Sequence, residues 1–244
     1  MASKSHASLD VRLENNVKLY LFLLTLAKYN PTAPDLKPDA IKTKVETVVK
    51  PAMEPYRTAK QALDISQGKA DAIFDKIHSI SIEIRSEAFE TFYNTDFHES
   101  VNHYVRLITG ENVSRYSATR PKIEDDPNTP ENEAEWTSVS QLERESILGN
   151  YKSLIALCIA KGDYDPEDED IKIPELQTIA ANAELALKDL GDKGPIFTNA
   201  RSLVLNYFDG PGGLAEVAAR AKRNVKRNYG KDSPEYKALV NKVY

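Results

Sequence analysis

Apolar residues recur at intervals of three and four along most of the chain. Ile73, Ile77, Ile80, Ile84, Ala88 and Phe92 form one such series, and Leu214, Val217, Ala218, Ala221 and Val225 form another. That spacing gives a helix one apolar face to bury and leaves the opposite face to polar side chains. Ser79 to Ile84 taken alone alternates like a strand, but the longer window keeps the helical period. The pattern predicts four principal helices in each half of the chain. They fall at about 9–28, 38–50, 70–93 and 96–109, and again at about 138–161, 174–190, 194–208 and 213–229, with a short fifth at 233–242.

Start and stop signals agree with these spans. Gly110 and Gly230 stand where a helix should end in a left-handed residue. Ser233-Pro234-Glu235 supplies an N-cap, a first-turn proline and an acid at the positive helix end, and Ser138-Val139-Ser140-Gln141 reads as a capping box. Pro51, Pro55 and Gly68 predict an interruption before the third helix.

The two halves correspond. Tyr29, Pro31, Asp35, Leu36 and Lys37 face Tyr164, Pro166, Asp170, Ile171 and Lys172 at a constant offset of 135. Ile80, Ile84, Arg85, Ser86 and Phe92 face Ile196, Ala200, Arg201, Ser202 and Phe208 at an offset of 116. Val105, Gly110, Asn112 and Tyr116 face Val225, Gly230, Asp232 and Tyr236 at an offset of 120. Each change of offset falls in a segment that reads independently as a loop, so the correspondence points to one supersecondary unit used twice. The expected fold is all-α, two tandem copies of a four- to five-helix bundle unit. The copies are expected at 1–120 and 138–244, joined by the acidic, proline-containing linker 121–137.

Four stretches carry a resemblance. They are Ser138-Val139-Ser140-Gln141, the Tyr-x-Pro-x-x-x-Asp loop, Ala200-Arg201-Ser202, and Tyr229-Gly230-Lys231-Asp232-Ser233-Pro234-Glu235-Tyr236-Lys237. Together they are similar to a family of uncharacterised bacterial tandem-repeat helical proteins. The likeness covers mostly the second copy, and the first departs from it at nearly every polar position. It implies a duplicated helical scaffold and a bacterial setting, and it implies no activity.

Composition narrows the function classes. The chain has 244 residues, enough for one large or two small cores, and its net charge of −5 argues against a protein that as a whole coats nucleic acid or anionic lipid. The longest apolar run, Leu19 to Ala27, is far short of the about 20 residues that cross a bilayer. Met1 to His6 lacks the layout of a signal peptide, so a cytoplasmic protein with no membrane partner is expected. The single cysteine, Cys158, lies in an apolar run and reads as an inert buried thiol.

Few residues point to chemistry. His98 and His103 flank a glutamate but stand five apart, so a helix turns them to different faces and they do not form a zinc pair. Asp163, Asp165, Asp168 and Asp170 crowd one loop and make a candidate weak cation site, without the glycine and closing glutamate of a calcium loop. Arg220, Arg223, Lys226, Arg227 and Lys231 are the main basic concentration and make a candidate anion or nucleic-acid surface. The bland alternative is a solvated helix face near a C-terminus. Gly210-Pro211-Gly212-Gly213 precedes a helix, but neither a strand nor a lysine with serine or threonine accompanies it, so it reads as a connector. Tyr29 and Tyr164 recur at matching loop positions, which points to loop anchoring.

No nucleophile, base and acid stand out as a set, and no cofactor motif occurs. The expected function is therefore a non-enzymatic helical interaction or assembly protein whose partner is another protein or a second copy. Two alternatives remain open: nucleic-acid binding through 220–231, and a ligand pocket or enzyme site between the copies.

Overall fold

The computed structural model describes residues 8–111 and 139–242. The capping box beginning at Ser138, the linker 121–137, and Asn112 and Tyr116 lie outside them. The described residues are all-helical, with no strand among them. The helices are α1 (Leu9–Leu24), α2 (Pro38–Thr43), α3 (Lys50–Thr91), α4 (Asp96–Thr109), α5 (Val139–Lys161), α6 (Ile173–Asp209), α7 (Leu214–Tyr229) and α8 (Pro234–Lys242). None of them is long and apolar enough to cross a membrane.

The expected breaks ahead of the third helix do not occur. A π-helical segment, Lys44–Val49, joins α2 directly to α3, and the Lys50 N–H bonds the Val45 carbonyl five residues back. A proline clashes with the carbonyl four residues before it and offers no N–H of its own. Widening the turn just before Pro51 lets the helix admit that residue and continue through Pro55. In the second half α6 runs unbroken through Gly191, Gly194 and Pro195. Where two helices were predicted in each half, one long helix stands instead.

Continuity of these helices changes what packs with what. The chain divides into two compact units, residues 1–63 with 193–244, and residues 64–192. Neither coincides with the spans 1–120 and 138–244 drawn from the sequence; each unit combines a piece of both. A helix that does not reverse cannot fold its two ends against one another, so each end buries its apolar face against sequence from elsewhere.

In the first unit the core joins Leu13, Leu19 and Leu23 of α1, Ile41, Val45, Val49 and Met53, and the apolar face of α7 at Leu214, Val217, Ala221 and Val225. Polar links tie the two chain ends there. Arg12 grips Asp209 with both guanidinium nitrogens, at 3.0 and 2.5 Å, and lies 4.7 Å from the Phe208 ring centre. The Lys28 N–H donates to the Tyr229 hydroxyl at 2.6 Å. Gly213 launches α7, and a side chain on it would meet the Phe208 carbonyl oxygen at 2.5 Å. The glycine-rich connector is therefore a tight helix junction.

The second unit packs Phe74, Ile77, Ile84 and Ala88 of α3 on Phe97, Val101 and Val105 of α4. It closes with Leu148, Tyr151, Leu154 and Cys158 of α5 and with Leu176, Ile179 and Ala183 of α6. Lys76 pairs with Glu175 at 3.0 Å, and Arg144 with Asp71. Gly110 ends α4 at φ 72°, and Ser233 Oγ caps α8 by accepting from the Tyr236 N–H at 3.1 Å, both as their sequence signals predict.

The two tyrosine loops are built alike. Tyr29 donates its hydroxyl to the Leu36 carbonyl at 2.8 Å, and Tyr164 donates to the Ile171 carbonyl at 3.2 Å. Each loop carries a single 3-10 turn, Pro34–Leu36 and Glu169–Ile171, and buries its tyrosine, its proline and the aliphatic residue at its end. Tyr29→Phe and Tyr164→Phe should each cost about 1 kcal/mol in chemical denaturation, the usual net worth of a buried hydrogen bond. Tyr151 provides the contrast, because its ring is fully buried and its hydroxyl meets no hydrogen-bond partner among the described residues. Tyr151→Phe should leave stability unchanged or raise it; a loss comparable to the other two would show that the hydroxyl is satisfied.

Candidate functional site

The basic stretch of α7 divides into distinct surfaces. One helical turn takes about 3.6 residues, so Arg220, Arg223, Asn224 and Arg227 share a flank of the helix away from its buried face. Lys226 lies roughly a third of a turn off that flank, and Lys231 stands beyond the helix end. Lys222 is half-buried, and burial pushes its ammonium down to about 8. The five candidate residues are thus not one surface; the structure brings three of them together.

Those three arginines face the first tyrosine loop across a cleft of about 310 Å³. The loop side is Pro31, Thr32, Ala33 and Leu36, and the helix side is Arg220, Arg223, Asn224 and Arg227. Arg220 is anchored by Asp35, with guanidinium–carboxylate distances of 2.5 and 3.4 Å. Arg223 and Arg227 are exposed, and no carboxylate pairs with either among the described residues. The sequence singled out the arginines but not the loop opposite them. Asp35, conspicuous only as a matched loop position, turns out to hold one of the three in place.

The acidic loop belongs to the other unit, and its acids diverge. Asp163 pairs with Lys161 at 2.6 Å, which holds its carboxyl below the usual carboxylate range. Asp168 accepts from the Asp170 N–H at 3.0 Å and so caps the 3-10 turn, while Glu169 pairs with Lys172 at 2.5 Å. Among the described residues no group of three or more His, Cys, Asp or Glu side chains is arranged to hold a metal ion. The acids serve turn geometry and local ion pairs, and Asp165 is left exposed.

His98 and His103 also separate. His98 packs edge-on against Phe89 at 5.6 Å between ring centres and lies 6.1 Å from Tyr93, while His103 meets Tyr104 at 5.5 Å. Phe89 and Tyr93 themselves stack edge to face at 5.1 Å. This aromatic corner was not visible in the sequence, because Phe89 and Tyr93 interrupt no pattern and their exposure depends on which face of α3 is buried. The corner is set by Asn94 at φ 59°, a conformation asparagine tolerates better than most residues, and by Thr95, whose hydroxyl caps α4 through the His98 N–H at 3.3 Å.

No protein-family model matches the chain, and neither a curated protein nor a solved structure is significantly similar to it.

Cys158 is fully buried, and burial pushes its thiol up to about 12. The thiolate is the reactive form, so a maleimide or disulfide reagent should label Cys158 only in denaturant. Rapid labelling of the folded protein would contradict that burial. The sign of the pH effect follows. Above the ordinary value near 9 the unfolded chain loses the proton that the folded chain retains, so stability should fall as pH rises from there toward about 12.

Proposed function

We propose that the protein is a non-enzymatic interaction module that holds a protein partner on an exposed face of α3. The observation that carries this reading is a stripe of apolar side chains left in solvent. Ile82 and Phe89 stand 42 and 53% exposed on one line of α3, seven residues apart, and Tyr93, 61% exposed, follows just past the helix end. Apolar groups gathered on one face cost solvation free energy until covered, and they mark an interaction surface more often than scattered ones do. Phe89 and Tyr93 are held by their contacts with each other and with His98, so little side-chain freedom is lost on docking.

The flank of the stripe gives the partner a character. Glu83, Glu87 and Glu90 lie along one side, while Arg85 on the other is occupied by Glu111 at 2.7 Å. A twofold pair of antiparallel stripes brings like flanks together, so acid would face acid. An apolar helix rimmed by lysine or arginine fits better than a second copy.

The scaffold behind this surface is, in our reading, a duplicated helical unit whose halves are exchanged. The paired tyrosine hydrogen bonds support it, as does the make-up of each compact unit, which draws on both halves of the chain. The resemblance to bacterial tandem-repeat helical proteins agrees with that origin.

A photo-crosslinking amino acid placed at Phe89 or Tyr93 in the full chain should capture a defined protein in cells. The exposed control position Lys42 should not. Capture at Phe89 no greater than at Lys42 would sink the proposal, and an adduct of twice the chain mass would identify self-association instead.

A further inference from the structure

We propose that the cleft between the first tyrosine loop and α7 binds a small phosphomonoester, with Arg223 and Arg227 clamping the phosphate. Charge is the first argument. Asp35 answers Arg220, whereas Arg223 and Arg227 have no acidic partner among the described residues. Two uncompensated guanidinium groups match a phosphomonoester, which carries a charge of about −1.5 to −2 near pH 7. A monocarboxylate would leave one of them unanswered.

Geometry is the second argument. The arginines rise from successive turns of one helix and both line the same cleft, and planar guanidinium forks suit the tetrahedral oxygens of phosphate. Asn224 also lines the cleft as a further donor. The third argument is the opposite wall, where Pro31, Ala33 and Leu36 are apolar and offer a surface to the carbon body of a ligand. A volume of about 310 Å³ lies at the small end of ligand pockets and fits a compact ester.

A nucleic-acid backbone fits less well. It needs cations in a continuous track, and Lys226 lies off the arginine row and Lys231 beyond the helix end, while Asp35 and Glu216 flank the row. The acidic 163–170 loop belongs to the other unit. None of these residues takes part in the α3 stripe, so the two proposals stand or fall separately.

The test is calorimetric titration of the full chain at low salt with phenyl phosphate, inorganic phosphate and a single-stranded oligonucleotide. Phenyl phosphate should bind, and inorganic phosphate should bind more weakly because it lacks the apolar body. The double variant Arg223→Gln with Arg227→Gln should lose roughly tenfold or more in affinity. Lys226→Gln with Lys231→Gln, which removes the same charge outside the cleft, should change it by less than about twofold. Matching melting temperatures for both variants without ligand would exclude a folding defect. The proposal is overturned if phenyl phosphate gives neither heat nor a melting-temperature shift, if the lysine pair costs as much as the arginine pair, or if only the oligonucleotide binds.

Discussion

Helix continuity through three prolines governs this molecule. Pro51, Pro55 and Pro195 each remove a backbone donor, and a proline inside a helix costs about 3 kcal/mol when nothing relieves it. The π-helical segment Lys44–Val49 relieves the clash at Pro51, and the buried Val45, Val49 and Met53 hold that stretch to the first core. With the chain unable to reverse there or at Gly191 to Pro195, the N-terminal elements must find their apolar complement at the other end of the sequence. The Arg12–Asp209 pair and the bond from Lys28 to Tyr229 follow from that constraint, since their partners lie in opposite halves.

The same constraint distributes charge. A self-contained second half would hold the acidic 163–170 loop and the basic flank of α7 in one unit. They belong instead to different compact units. The basic flank meets a loop whose Asp35 is occupied with Arg220, and in the acidic loop Asp163, Asp168 and Glu169 are engaged in a 3-10 cap and in lysine pairs. Arg223 and Arg227 in the cleft have no acidic partner among the described residues.

Legibility in the sequence varied with the range of the interaction. Gly110 and Ser233 were readable because caps are settled within a few residues. The tyrosine loops were readable as matched positions, and their hydrogen bonds span only seven residues. The arginine row was legible as helical spacing, but the cleft was not, because its other wall comes from residues 31–36. The aromatic corner at Phe89, Tyr93 and His98 escaped notice for a related reason. A phenylalanine in an amphipathic helix is ordinarily assigned to the core, and its exposure depends on where Ile77, Ile84 and Ala88 are buried.

The sequence by itself determined that the chain is helical, where most helices begin and end, and which residues anchor the two tyrosine loops. These follow from periodicity, capping chemistry and short-range hydrogen bonds, all of which act over a turn or two of chain. Only the tertiary structure decided that α3 and α6 run unbroken, that each core is assembled from both halves, and which charged groups meet. Those outcomes turn on whether a local cost at a proline is offset by burial against distant residues, and that balance appears only once the chain has chosen its partners.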